Sequence, residues 1–453
     1  MPSSTNKRNM SLFAITWPIF IEILLHMVMG NADTLMLSQY SDNAVAAVGI
    51  SNQIISVVIV MFGFITAGTG ILVAQQLGAG NLEKAGKASV VSLVTNLSFG
   101  LLLSTFLLLG GGYVLKMMNV PEEIMEDARL YIQIVGAFIF IQALLMTLGA
   151  ILRSHGYTKD SMYVTIGMNI INIVGNFILI FGVFGLPALG VTGVAISTVA
   201  SRLLGFVVLF AVVYKRTKDH LCFHQIWKGP KKELKQLLSI GIPSAGEHLS
   251  YNTSQMAITY FVVQMGTEAL TTRVYTQNIT MFVFLFSVAV GQGNQILIGH
   301  FTGGGEWERA NKRCIRSIWL AAGISTFIAV IVYLNSSIIF SLFTDNSEII
   351  ATGSVLLLIN IFLEPGRAFN LVVINSLRAA GDVRFPVYIG ILSMWGIAVM
   401  LSYAFGLEAG LALAGIWIAM TADEWLRGLL MIWRWNKGHW RSMSFTQKKS
   451  EQA

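Results

Sequence analysis

Charge is scarce in this sequence. Asp, Glu, Lys and Arg together make up 12% of its 453 residues, against about 25% in a soluble globular chain. Hydrophobic residues reach 55%, which excludes a soluble enzyme. Cysteine is nearly absent: Cys222 and Cys314 are the only two. Both fall in segments expected as cytoplasmic loops, where thiols stay reduced and unpaired, so a disulfide scaffold is excluded. Proline is held to eight residues. Pro18, Pro243 and Pro365 fall inside apolar stretches, where each should kink a helix and free a carbonyl one turn earlier. Segments of about ten alternating residues, the mark of a membrane β-barrel, are missing. No small-residue cleavage site follows the first apolar stretch, which continues through Pro18 and Glu22 as a helix rather than a removable signal. The signatures of a membrane-embedded enzyme, such as His-Glu-x-x-His or paired aspartates on one helix, are missing too.

What remains is a tandem duplication. Pro18 and Glu22 recur as Pro243 and Glu247, 225 residues on. The same offset joins Gly80, Glu83, Lys84 and Ala85 to Gly305, Glu308, Arg309 and Ala310. It also joins Leu152-Arg153, Gly156, Tyr163 and Arg202 to Leu377-Arg378, Gly381, Tyr388 and Arg427. An internal repeat of this kind sets the reading of the whole fold. A hydrocarbon core needs about 20 apolar residues per helix. Such stretches occur at 11–37, 44–75, 86–112, 127–152, 161–183 and 189–214, then at 237–263, 270–298, 314–340, 350–376, 386–405 and 410–433. The expected fold is therefore an all-α membrane protein with 12 transmembrane helices in two six-helix repeats. An even number of helices keeps the copies parallel, and a transporter built this way places its path at their interface, here a central cleft.

The net charge of +7 raises nucleic acid as a partner, but its placement argues against that. With the N-terminus inside, Lys7, Arg8, Lys84, Lys87, Arg153, Lys159, Arg309, Lys312, Arg313, Arg316, Arg378 and Arg384 all face the cytoplasm. So do the mid-chain and C-terminal basic residues. Acids such as Glu122, Glu123, Glu126, Asp127 and Glu348 fall in the outer loops. This is the positive-inside pattern of a multi-pass plasma (inner) membrane protein with both termini cytoplasmic. The polar break at 215–236, with Trp227, Gly229 and Pro230, divides an N-lobe (1–214) from a C-lobe (237–453). Its KKELKQLL run suits a short amphipathic helix on the inner surface. The paired loops QQLGAGNLEKAGKA and HFTGGGEWERANKR read as glycine turns with surface charge.

Ionisable groups inside membrane helices are costly, and each is a functional candidate. Glu22, Asp33, Glu247 and Glu364 qualify. Glu22, His26 and Asp33 lie at i, i+4 and i+11 of the first stretch, one polar stripe that needs protein or water beside it. Asn169, Asn172 and Asn176, at i, i+3 and i+7, form one face of the fifth. A carboxylate beside amides is a plausible small-cation or proton site, because oxygen ligands suit hard cations and burial favours a neutral carboxyl. Amides of this kind also serve as glue between helices, the reading favoured for Asn169. Asp423, Glu424 and Arg427 sit at i, i+1 and i+4 and read as a structural ion cluster. The 20 methionines and 27 phenylalanines suit an adaptable apolar pocket as well as core or lipid-facing positions.

These residues resemble the multidrug and toxic compound extrusion (MATE) family, prokaryotic branch. Asp33-Thr-Leu-Met with Ala46-Ala47-Val-Gly is similar to its first motif. Gln75-Gln-Leu-Gly78, Leu152-Arg153 with Gly156, Gly193-Val-Ala-Ile-Ser-Thr198, Gly241-Ile-Pro243 with Glu247, and Leu377-Arg378 with Gly381 are similar to further ones. The resemblance spans essentially the whole chain. It implies multidrug efflux: export of amphipathic, often cationic compounds by antiport with protons or sodium. It places a coupling site at Asp33, Asn172, Asn176 and Thr198, with Glu22 and His26 on the same stripe as a relay. Where family members often carry aspartate this chain has Asn176, which lowers the negative charge and favours protons. Glu247, Glu364 and Arg367 are the expected cargo-binding residues, the two acids about one turn from the usual register. No cofactor or resident metal is expected. The partners are small-molecule substrates and the lipid bilayer, with a monomer as the default. The rival reading is a lipid-linked sugar flippase of the same superfamily, which would need a strongly cationic cavity. A passive channel fits the duplicated fold less well.

Overall fold

The structure, a computed structural model, describes residues 10–185, 187–217 and 231–446. Lys7, Arg8, Cys222, Trp227, Gly229, Pro230 and the basic residues at 448 and 449 lie outside this range. Every regular element among the described residues is helical. The first repeat contains α1 (Leu12–Ser38), α2 (Asp42–Gly78), α3 (Leu82–Met117), α4 (Glu122–Ala137), α5 (Ile139–Ser154), α6 (Thr158–Phe181) and α7 (Gly190–Thr217). The second contains α8 (Lys231–Gln264), α9 (Thr267–Gly303), α10 (Trp307–Leu334), α11 (Ser336–Ser341), α12 (Ser347–Ala380), α13 (Arg384–Ser393), α14 (Met400–Tyr403) and α15 (Ala412–Asn436). Two π-helical stretches, Met394–Val399 and Ala404–Glu408, join α13 and α14 into one span ending at Glu408.

Twelve spans result, six in each repeat. Among the described residues nine are long and apolar enough to cross a membrane by themselves, and α4 with α5, bent by 46°, forms a tenth. The other two, α8 and α15, have 34 and 25 residues; α8 is more polar along its length, and α15 carries Asp423, Glu424 and Arg427 in its middle. The 225-residue offset is visible in the backbone. Both α2 and α9 run for 37 residues and start at positions related by the offset. The turns that follow them use Gly80 and Gly305 at φ 73° and 72°, a left-handed conformation open to glycine. Gly156 and Gly381, at φ 79° and 103°, close α5 and α12 in the same way.

Two local expectations change. The KKELKQLL segment is not a separate surface helix but forms the first turns of α8, tied back by Glu233 to Lys87 at 3.1 Å. Cys314 lies within α10 rather than in a loop, and it is fully buried as a free thiol. All three membrane prolines sit within continuous helices. A bend of 46° separates α4 from α5, where the Phe140 amide donates to Ser104 Oγ at 3.2 Å.

The chain forms two compact units. One holds Ile21–Leu77 and Asn81–Gly241; the other holds the chain up to Phe20, Gly78–Gly80 and the chain from Ile242. In the first unit α6 lies along α7, and α3 packs on α4 and α5. In the second, α12 is the central helix, flanked by α9, α10 and α15. Lipid tails are as apolar as leucine, so close packing rather than water exclusion holds such helices together. A Cβ on Gly111 of α3 would stand 2.4 Å from Ile132 of α4, and one on Gly353 of α12 would stand 2.1 Å from the Phe340 ring. Only glycine permits either approach.

Candidate functional site

Within the first unit, α1, α6 and α7 converge on one buried polar cluster. Asn172 and Asn176 stand one turn apart on α6 and share a face. Asn176 Nδ2 donates to Asp33 Oδ1 at 2.6 Å and lies 3.4 Å from Asn172 Oδ1. Asn172 Nδ2 in turn faces Thr198 Oγ1 at 3.4 Å, and Ser197 Oγ holds the Asn172 carbonyl at 2.9 Å. Asn172 and Asn176 are fully buried, Thr198 nearly so, and Asp33 is 9% exposed. The cluster therefore contains one carboxylate, two amides and one hydroxyl. Asn176 Oδ1 has no hydrogen-bond partner. The sequence did not point to Tyr131 of α4, which stands against Thr198 and donates to Asn52 Oδ1 at 3.2 Å. Buried Asn169 lies on the same α6 face, yet neither of its side-chain polar atoms finds a partner.

Glu22 and His26 are not joined to this cluster by hydrogen bonds. Glu22 Oε1 accepts from Arg153 NH1 of α5 at 2.9 Å, and Ser161 Oγ of α6 stands 3.3 Å from both carboxylate oxygens. His26 occupies an exposed face of α1. The second unit repeats the ion pair: Glu247 of α8 pairs with Arg378 of α12. Both acids and both arginines obey the 225-residue offset, so one salt bridge has been duplicated with the fold. Nothing within a single helix reveals it, since the partners are 131 residues apart.

Glu364 and Arg367 lie one turn apart on α12 and pair at 2.8 Å, forming one end of a larger network. Arg367 Nε approaches Glu424 at 3.7 Å. Glu424 also accepts from Asn370 at 2.8 Å and from Arg427 at 3.0 Å. Arg427 binds Asp423 at 2.7 Å, and Ser393 caps that carboxylate. The spacing of Asp423, Glu424 and Arg427 foreshadowed the last pairs; their link to Glu364 through Arg367 and Asn370 could not be read from it. Three acids face two arginines, so the carboxyls outnumber the guanidinium groups by one. Glu364 Oε2, buried, has no partner. Glu247 is not hydrogen-bonded to this network. Among the described residues no group of three or more His, Cys, Asp or Glu could hold a metal ion.

Comparison with known proteins places these features in a lineage. A family model described as MatE matches residues 18–178 and 243–404, segments that begin at Pro18 and at its repeat partner Pro243. The uncharacterized transporter YisQ of Bacillus subtilis is 52% identical over 433 residues, covering 96% of this chain and 95% of that protein. The probable multidrug resistance protein NorM of Thermotoga maritima is 27% identical over 434 residues, covering 95% and 92%. Among solved structures, the bent form of the Vibrio cholerae MATE transporter VcmN matches with a TM-score of 0.87 at 19% identity. The match covers 96% of this chain and 98% of that one, and at that identity it speaks to the fold.

Proposed function

This chain belongs to the MatE family of membrane transporters, and on that premise we propose that it exports amphipathic, cationic small molecules in exchange for protons, with Asp33 as the coupling group. The observation that carries this reading is the isolation of Asp33 as the one carboxylate among amides and a hydroxyl. A charge held inside a membrane protein is costly, and a proton removes that cost with a single ligand atom. A bare sodium ion asks for several oxygens and gains from added negative charge. Asn176 suits a proton cycle because an amide can serve both states. Its NH2 donates to the carboxylate, and its oxygen, turned over, accepts from the neutral acid. The unpartnered Oδ1 of Asn176 is the acceptor such a turn would present.

The second-unit network supports the choice of cargo. An excess of acid over arginine attracts cations through a low-dielectric path, whereas a lipid-linked sugar pyrophosphate needs the opposite sign. Glu364 is the cargo-facing acid in this reading, with Arg367 setting its orientation and Glu247 held in reserve by Arg378. The cytoplasmic placement of the basic residues supports an inner-membrane protein with both termini inside.

Purified protein in proteoliposomes tests the scheme. A pH gradient without sodium should drive ethidium across the membrane, and Asp33→Asn should stop it. Movement that needs a sodium gradient and ignores pH would overturn the proton assignment. Failure with either gradient, together with flipping of a lipid-linked sugar, would favour the flippase.

A further inference from the structure

Arg202 of α7 and Arg427 of α15 occupy the same place in the two repeats, but their surroundings differ. Arg427 reaches back one turn to Asp423 at 2.7 Å and also holds Glu424 at 3.0 Å. In the first repeat those two positions are Thr198 and Val199, so Arg202 has no carboxylate on its own helix. Among the described residues it makes no ion pair, and it is only half-buried. Yet Thr198, the residue one turn back, belongs to the Asp33 cluster. The Arg202 guanidinium also lies within electrostatic reach of Asp33, Tyr131 and His26.

We propose that Arg202 is the built-in counter-cation of ionised Asp33, filling the role that a bound sodium ion would otherwise take. The inference rests on Asp33 as the coupling group and goes further, naming what balances its charge once the proton has left. An ionised carboxylate in this setting needs a cation beside it. The second repeat shows that an arginine at this helical position bonds to the residue one turn back. From Thr198 the hydrogen-bonded path continues through Asn172 and Asn176 to Asp33. Five guanidinium donors in a planar fork would occupy the oxygens that sodium requires. When Asp33 takes a proton the attraction lapses and Arg202 is released from it. A proton and an external cation thus both compete with a side chain the protein already carries.

The test measures sodium binding rather than transport. In alkaline buffer, the thermal stability of the full chain in detergent is followed as sodium chloride replaces choline chloride. The parent protein should not respond. Arg202→Gln should gain a melting temperature that rises with sodium, reflecting binding on the order of tenfold tighter or more, as removal of a nearby like charge implies. Arg202→Lys should behave like the parent, and the double variant Asp33→Asn/Arg202→Gln should lose the gained response. A merely structural arginine would lower stability equally at every sodium concentration, and that result would overturn the inference. So would a sodium response in the parent protein. The broader reading fails separately, if Asp33→Asn alone still exports under a pH gradient.

Discussion

The two repeats share a frame and differ in the polar chemistry placed on it. Glu22–Arg153 and Glu247–Arg378 are the same salt bridge twice, and the glycine turns at Gly80 and Gly305 are the same turn twice. The buried polar clusters behave otherwise. Asp33, Asn172 and Asn176 correspond to Ile258, Ile397 and Leu401, while Glu364, Asn370 and Glu424 correspond to Ile139, Leu145 and Val199. These acids and amides stand where the other copy is apolar, and the two clusters meet only at Thr198, whose counterpart is Asp423. The backbone diverges at the same places. Uninterrupted α6, which carries the asparagines, has as its counterpart a span interrupted by π-helical turns from Met394 onward, a feature often found where function has reshaped a helix. What the copies kept therefore belongs to architecture, and what they changed is where coupling and cargo selection are to be sought.

That division is most sharply tested at Asp33. Asp33→Asn should reduce gradient-driven export to the level of empty liposomes while leaving membrane insertion and monodispersity intact. Full export by this variant would remove the functional distinction between the repeats. Next in size should be the shared bridges. Separate removal of Glu22 and Arg153, and then of both, should give a coupling energy of roughly 1–3 kcal/mol by double-mutant cycle in detergent. The same cycle on Glu247 and Arg378 should agree within about 1 kcal/mol. Coupling in only one repeat would show that the duplicated bridge has acquired a private role there.

Much of this frame was legible in the sequence because helices in lipid must be long and apolar. The stretch read at 44–75 is α2 at Asp42–Gly78, and that at 270–298 is α9 at Thr267–Gly303. Errors fell where a helix continues beyond the hydrocarbon. Cys314 and the KKELKQLL run looked like loop and surface because hydropathy ends before the hydrogen-bonded helix does. The bend at Phe138 was invisible since no proline marks it, whereas Pro365 was conspicuous in a helix that continues. Of the residues in the Asp33 cluster, Asn172 and Asn176 share a face by spacing alone; their union with Asp33 and Thr198 came from the family resemblance. Arg153 and Arg378 were seen as repeat residues and not as partners of the acids. Periodicity relates residues on one helix and says nothing of what stands opposite.

A smaller effect is expected in the second-unit network. Glu364→Gln should remove its excess negative charge and leave Arg367 beside Glu424. Resistance of a drug-sensitive bacterium to cationic compounds should fall several-fold, by roughly the order expected for one lost partly screened charge contact, and more than resistance to neutral ones. Equal losses for both kinds of compound would assign the network to folding.

The smallest predicted effect separates the two bridges from each other. Ser161 stands 3.3 Å from both Glu22 oxygens, but its repeat counterpart is Pro386, which has neither a hydroxyl nor an N–H to offer. Ser161→Ala should therefore turn the first-repeat bridge into a copy of the second, with the Glu22–Arg153 pair intact and one donor fewer. A single neutral hydroxyl is worth about 1 kcal/mol, so thermal stability in detergent should fall by that order and proton-driven export should stay at the parent rate. If export falls with stability unchanged, Ser161 contributes to coupling, and the Glu22 bridge no longer belongs with the architecture that both repeats retain.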